Sequence, residues 1–396
     1  MAPALSAGLQ SLRQEARKEF QALPWPLKTD EEWRRTDPEI FRTEGSSLQT
    51  FSAGIRVGYD AVAPELIQSG VIVTDLQTGL NRFPELVEQY LFQAGTAGGL
   101  QKFAALHRAE WSQGLFVYIP EGVRIAQPLK TWIQAEGAAP FFPHALIVLE
   151  AGAEATLIDE RRSVSGTSPT TTISNELVEI ILKPQASLKY LRIQRWNSET
   201  SELFMQKTII DKEAVFLNAA IALGGSVTKA RLETTLQGVN AHADLLGVLF
   251  GSRKQHFDFH TIQDHKAERT TSDLLYKCAL KDQAKSIYTG LIRIDKSAQK
   301  SDAYQANRNL LLSDGASADS VPMLEILADD VRCTHGVAVG PVDEDQMFYL
   351  MSRGLPPAEA ERTIVGGFFE QVLQRVPLGA MNEQLLEELT NRLVAS

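Results

Sequence analysis

The chain has 396 residues, 44% hydrophobic and 22% charged, with a formal net charge of −10. That is enough for two or three domains, and it excludes a disordered or membrane class. No dense Lys/Arg block is present to displace counterions, which argues against a nucleic-acid grip.

Residues 1–20 lack the basic start and unbroken apolar core of a secretory leader, and no apolar run approaches the roughly 20 residues that span a bilayer. The two cysteines, Cys278 and Cys333, do not form a disulfide framework. Together these point to a reducing compartment: the cytoplasm, or a plastid stroma after removal of a transit peptide.

In chain order, the first hundred or so residues read mainly as helix. Leu9, Leu12, Ala16 and Phe20 recur at helical spacing, and Thr29-Asp30-Glu31-Glu32 fits a capping box. A second helix is predicted after Phe83-Pro84, and a third holds Phe103, Leu106, His107 and Trp111. The texture changes at Gly114. From there to about Pro341, short β-prone runs at 115–119, 145–149, 178–182 and 286–288 are broken by Gly, Pro, Asp and Ser.

A loose repeat runs through this central region. Glu154-Ala155-Thr156-Leu157 resembles Gln185-Ala186-Ser187-Leu188 and Glu213-Ala214-Val215-Phe216, with echoes at Ala243-Asp244-Leu245 and Gln283-Ala284-Lys285-Ser286. Small residues at corners followed by alternating strands suggest stacked coils, a β-helix, in which neighbouring turns bury each other's apolar faces. A large β-sandwich is the alternative. The last fifty residues return to helix: Pro357 suits a first helical position, and Ile364, Val365, Phe368, Phe369, Val372 and Leu373 form one apolar stripe. Leu385, Leu386, Leu389 and Leu393 form another.

Among residues able to carry chemistry, Cys333-Thr334-His335 stands out. On a strand, residues two apart share a face, so a thiolate and an imidazole side by side make a half-site for iron or zinc that a second chain would complete. His256, Asp258 and His260 likewise share a strand face opposite Phe257 and Phe259. They read either as a three-ligand metal set or as a polar face over a Phe-packed interior. His265 and Thr270-Thr271-Ser272 suggest a hydrogen-bonded loop, and Cys278 lies in an apolar setting. Asp329, Asp330, Asp343, Glu344 and Asp345 flank the Cys-x-His pair, as aids to iron exchange or as solvated surface. The run Gly224-Gly225-Ser226-Val227-Thr228-Lys229 has the wrong spacing for a phosphate loop, so the chain alone should not hydrolyse ATP. Four thiolates for a complete iron–sulfur cluster are missing.

Residues 303–312 (AYQANRNLLL), Pro322-Met323-Leu324-Glu325-Ile326, Asp330-Val331-Arg332-Cys333-Thr334-His335-Gly336 and Ser352-Arg353-Gly354 occur in order. So do Glu32-Trp33-Arg34-Arg35-Thr36 near the start, Tyr118-Ile119-Pro120-Glu121-Gly122-Val123, and Asp258, His265, Ser272 and Gly290. This collinear set resembles the SufB/SufD family of the SUF iron–sulfur cluster assembly system. The short chain, Gly336 after the Cys-x-His pair and the scarcity of cysteines lie nearer its SufD branch, although Val337-Ala338 departs from the more usual Ala-Thr.

The resemblance implies an N-terminal helical domain (1–113), a right-handed parallel β-helix core (114–341) and a C-terminal helical domain (342–396). It implies a non-catalytic scaffold that pairs with SufB and docks the SufC ATPase, whose ATP hydrolysis drives cluster formation. The docking residues it implies are Phe348, Tyr349, Arg353, Gly354, Ile364, Phe368 and Phe369. It gives His335, with Cys333 as a weaker companion, a role in holding iron or a nascent cluster shared with SufB. No cofactor is expected to bind the chain tightly alone; a flavin in the complex and a homodimer of the isolated chain are further expectations. The rival readings are a purely structural docking subunit without metal ligands, a self-sufficient homodimeric scaffold, and a β-helix enzyme acting on polysaccharides.

Overall fold

A strand whose side chains alternate between an apolar row and a second row must bury the first against another sheet. The computed structural model describes residues 6–43, 54–95, 99–136, 139–164, 171–376 and 379–393. It solves this packing problem with two nine-stranded sheets facing each other. The first contains, in spatial order, β1 (Ile55–Tyr59), β4 (Leu129–Ala135), β6 (Glu154–Ser163), β8 (Ser187–Arg195), β10 (Val215–Ala222), β12 (His242–Gly251), β14 (Thr271–Leu280), β16 (Asp302–Leu311) and β18 (Arg332–Pro341). The second runs β2 (Ile72–Asp75), β3 (Gln113–Ile119), β5 (Pro143–Leu149), β7 (Thr172–Leu182), β9 (Thr200–Ile210), β11 (Val227–Leu236), β13 (His256–His265), β15 (Lys285–Ile294) and β17 (Ser317–Ile326).

From β3 onward the chain alternates between the sheets and every pairing is parallel, the pattern of a β-solenoid. The mainly β architecture with helices at both ends matches the expected fold class. Two strands, β1 and β2, lie within the first hundred residues, which the sequence reads mainly as helix. β1 pairs antiparallel with β4, and β2 antiparallel with β3, and each is the outermost strand of its sheet.

Each turn takes roughly thirty residues, the period of the sequence repeat. Its buried mark is a ladder of corner alanines, Ala153, Ala186, Ala214 and Ala241, each at most 1% exposed. Each carbonyl accepts the N–H of the first strand residue in the next turn. The true equivalent of Ala186 is therefore Ala153 rather than Ala155, and that of Ala214 is Ala241 rather than Ala243; Ala284 belongs to a corner of the other sheet. The two-residue offset preserves the alternation of faces, which is why the repeat was detectable in the wrong register. Before each corner sits a residue with positive φ: Gly152, Gln185, Glu213, Asn240, Arg269 and Lys300.

The interior is apolar for most of its length, but one end holds a buried ion network. Arg161 binds Asp159 and Glu176, Arg192 binds Glu176 and Glu202, Tyr190 donates to Asp159, and the Trp196 indole donates to Glu202. Burial alone would raise the Glu176 carboxyl, but the two arginines bring it down to about 2.

The outer face of the second sheet is covered by the N-terminal layer. α1 (Ala7–Ala22) packs on α5 (Gln101–Glu110), and Trp33, Phe41 and Phe103 pack on Leu177, Leu203 and Met205. α3 (Leu76–Arg82), which follows β2 directly, and α4 (Pro84–Tyr90) cover Phe116 and Leu146, and the short α2 (Pro64–Gln68) precedes β2. A fully buried chain from Glu179 through His144 to His107 and the Asn175 carbonyl locks this layer down, with His107 pushed to about 3 by burial and then by His144. The expected capping box does not form. Asp30 accepts the N–H of Leu27, only a 3-10 turn (Glu31–Trp33) follows, and Glu32 reaches across to the sheet.

The outer face of the first sheet is covered by α7 (Pro357–Leu373) and α8 (Ala380–Asn391), whose Val365, Phe369, Val372, Leu385 and Leu389 pack on Leu191, Ile221, Leu246 and Val248. Each such buried side chain contributes roughly 1.5–3 kcal/mol. Arg195–Glu388 and Arg375 with Asp244 and Asp273 pin the rim, and Lys277 donates to the Phe368 carbonyl and Gln371.

Glu176→Gln should destabilise the protein by about 3–5 kcal/mol, because Arg161 and Arg192 then share a buried site with too little negative charge. Its folded carboxyl lies below the ordinary value near 4.3, so this stabilisation is present above that value and is lost as pH falls toward 2. Chemical denaturation of both proteins from pH 7 to pH 3 checks this: wild type should lose stability across the acid limb, and the variant should lose less.

Candidate functional site at the open end of the solenoid

The last strand of each sheet has a neighbour on one side only: β18 pairs with β16, and β17 with β15. Their inner rows are also uncovered. Leu324 and Ile326 on β17 are each 40% exposed, and Val337 and Val339 on β18 each 44%, although their partners one turn back (Ile292, Ile294, Asn307 and Asn309) are buried. Leu327 at the adjoining corner is 57% exposed. An unpaired strand edge beside exposed aliphatic side chains is a template for another chain.

Cys333 and His335 lie in this inner row of β18, directly over Ala303 and Gln305. The structure thus places them on one face, as their spacing predicts. Cys333 is half-buried beside Ile292, Ile294, Ala298 and Val331. Burial, then the charge of Asp302, pushes its thiol up to about 11, so at neutral pH it is protonated and a poor ligand without a cation to displace the proton. His335 is exposed, and among the described residues no hydrogen bond or ion pair engages its ring. Beneath it the Gln305 amide donates to the Gly290 carbonyl, while its oxygen has no protein partner.

The His256, Asp258 and His260 set does share one face, with Phe257 and Phe259 in the interior behind it. A metal does not fit this set. The Lys229 ammonium already occupies the cation position, 2.9 Å from Asp258 Oδ2. Thr36 takes up His256 Nε2 and donates to Asp258, and His260 sits between Asp258 Oδ1 at 2.9 Å and Glu32 Oε1 at 3.2 Å. This cluster fastens the N-terminal segment to the sheet. Nor does any other group of three or more His, Cys, Asp or Glu among the described residues have metal-holding geometry.

His265 is buried with Thr270 at 2.7 Å and Ser272 at 2.8 Å, and burial lowers it to about 4; it latches a corner. Cys278 is buried and pushed up to about 12, an inert core thiol. Asp343 caps α6 (Glu344–Ser352) by accepting the N–H groups of Asp345 and Gln346, with Glu344 and Asp345 in the first turn, where the helix dipole favours them.

α6 presents Phe348 at 74%, Tyr349 at 56% and Met351 at 43% exposure, with Arg353 over the Tyr349 ring and Gly354 ending the helix at φ +96°. Ile364 and Phe368 are half-buried. Phe369 is fully buried against the first sheet, so as a surface docking residue it is corrected: its stripe is consumed inside the chain. Sequence reasoning passed over Lys277 and Lys229. Lys277, lowered to about 8 by burial and then Arg308, joins α7 to β14, and Lys229 is the centre of the His260 cluster. A lone lysine in a strand carries no signal of either role.

Two family matches cover this architecture: the SUF system FeS cluster assembly SufBD core domain over residues 131–368, and the SufBD protein N-terminal region over 56–131. The chain is 30% identical to the iron-sulfur cluster assembly protein SufD of Bacillus subtilis, covering 84% of this chain and 76% of that one. It is 28% identical to an iron-sulfur cluster assembly SufBD family protein of Staphylococcus saprophyticus, covering 88% and 77%. With a SufBD family protein of Staphylococcus aureus it shares 28% identity over 91% of this chain and 80% of that one. The chain belongs to the SufBD family of the SUF iron–sulfur cluster assembly system.

Proposed function

We propose that this chain is a non-catalytic scaffold subunit, of the SufD type, that pairs its open solenoid end with a SufB-like solenoid and docks SufC-type ATPases. The observation that carries this reading is the uncovered last turn. The inner rows one turn back are buried, yet β17 and β18 leave backbone edges and four aliphatic side chains in solvent. A second β-solenoid joined edge to edge extends both ladders and covers Leu324, Ile326, Val337 and Val339. We divide the chain for this purpose into an N-terminal layer (1–113), the solenoid (114–341) and a docking segment (342–396). No described helix is long and apolar enough to cross a membrane, and we place the complex in the cytoplasm.

Iron or a nascent cluster is the cargo of this site. His335, exposed and without a partner among the described residues, offers a borderline nitrogen ligand, and a thiolate from the partner chain completes the set. Cys333 is held protonated and contributes less. Histidine grips a cluster more loosely than thiolate does, which suits a scaffold that releases its product. α6, with its exposed Phe348 and Tyr349, is the contact for the ATPase. Dimerisation of two such ATPases on ATP then shifts the solenoid interface between two packed arrangements.

His335→Ala should leave the complex assembled but lower reconstituted cluster yield by about tenfold, the loss of one ligand contact worth roughly 1.4 kcal/mol; absorbance of the assembled cluster checks it. An unchanged yield in both His335→Ala and the Cys333→Ala/His335→Ala double variant favours a purely structural subunit. Ile326→Asp with Val337→Asp should dissociate the SufB-like partner while the chain stays folded, as read by co-purification. Phe348→Ala and Tyr349→Ala should each weaken ATPase docking by about 2 kcal/mol, measured by calorimetry with the isolated ATPase.

A further inference from the structure

Three successive corners stack at one edge of the solenoid, joining β8 to β9, β10 to β11, and β12 to β13. Their tips differ in bulk. The outer two carry Trp196 and Ser198, and Ser252, Arg253 and Lys254; the middle one carries only Gly224 and Gly225 before Ser226. A side chain is impossible at Gly224, where a Cβ would lie 2.1 Å from the Trp196 carbonyl oxygen, and Gly225 has φ +79°. The missing side chains leave a hollow of about 390 Å³, closed on the far side by Arg392 after α8.

The lining is basic in a chain of net charge −10. Arg195, Arg253, Lys254 and Arg392 converge on it together with the hydroxyl-bearing Ser198, Ser226 and Ser252, and no carboxylate lines it. Two of the cations are matched from behind. Arg195 lies 2.7 Å from both Glu160 and Glu388, and Arg392 lies 3.1 Å from Glu388 and donates to the Leu223 carbonyl at 2.7 Å. The other two are not: neither the Arg253 guanidinium nor the Lys254 ammonium has an ion-pair partner among the described residues. Asp282, in the next corner between β14 and β15, accepts the Arg253 backbone N–H at 2.7 Å and makes no ion pair with the Arg253 guanidinium. The Arg392 Nε is buried and also unpartnered.

We propose that this hollow binds the phosphoryl group of a small phosphorylated molecule. Arg253 and Lys254 supply the uncompensated charge, and Arg392 supplies a donor already held in place by Glu388 and Leu223. Charge-assisted bonds from a guanidinium and an ammonium fit a tetrahedral dianion, and the volume exceeds a bare phosphate, leaving room for the organic part of an ester. The site is not a phosphate loop. The Lys229 that ends the glycine run points away into the Asp258 and Glu32 cluster, so the hollow binds and does not hydrolyse. It lies apart from the open end of the solenoid and does not depend on the scaffold reading.

The test is isothermal titration of the full chain with inorganic phosphate, pyrophosphate and AMP at constant ionic strength. Saturable binding is expected, tighter for AMP than for phosphate if the ester is the natural form; equal or tighter binding of free phosphate identifies the inorganic anion as the ligand class. Arg253→Ala with Lys254→Ala should weaken binding about tenfold or more, and Lys254→Glu should do so alone. Both side chains are exposed, so the melting temperature should not move. The proposal is overturned if none of the three anions saturates, if the double variant binds as tightly as wild type, or if chloride at matched concentration competes equally.

Discussion

A stack of parallel strands has two ends, and each leaves a ladder of backbone donors and acceptors in need of partners. This chain treats its ends unequally. At the start, β1 and β2 pair antiparallel with β4 and β3 and bury Ile55 and Val73 in the interior. At the finish, β17 and β18 stop without a further strand among the described residues, and the next element is the exposed α6. The site follows from that asymmetry: it sets His335 in an inner row whose counterpart one turn back is buried, and exposes it there.

The two outer coats have the complementary effect. Sheets with both faces buried read as continuous apolar runs, and β5 is buried at all seven positions because the N-terminal layer lies on one side and the opposing sheet on the other. The coats are fastened by charge as well as by apolar packing. Glu32, Asp258, Lys229 and His260 hold the N-terminal segment, and Arg195, Arg375 and Lys277 hold the C-terminal helices. The N-terminal coat touches the last turn at Arg35, 3.5 Å from Asp319 on β17, but leaves the inner rows of β17 and β18 uncovered, so a partner meets bare sheet edge there.

Much of this was legible in the residues. The helical stripes of α1, α5 and α7, the alternation of the strands, the small corner residues and the shared face of Cys333 and His335 all follow from the two side-chain periods. Other features were not. Corner residues such as Gln185, Glu213, Arg269 and Lys300 adopt positive φ without being Gly or Asn, because corner packing overrides their local preference, so these positions carried no signal of the left-handed turn. β1 and β2 are too short to register against their helical surroundings. The inward Arg161, Glu176, Arg192 and Glu202 look like surface charges until the opposite sheet supplies their partners.

By itself the sequence determined the periodicities, the helical ends, the absence of a complete cluster-binding cysteine set and the pairing of Cys333 with His335 on one face; the solenoid rather than a sandwich followed from the resemblance to the SufB/SufD family. Tertiary structure alone decided which polar residues were free to act. His256, Asp258 and His260 have metal-binding chemistry but lie around Lys229, a residue brought to them from the neighbouring strand. His335 has the same chemistry, and no such neighbour arrives because its strand is the last. Local spacing sets which side chains share a face, whereas the charge that meets them comes from strands and coats far away in sequence, and that is fixed only when the stack has formed.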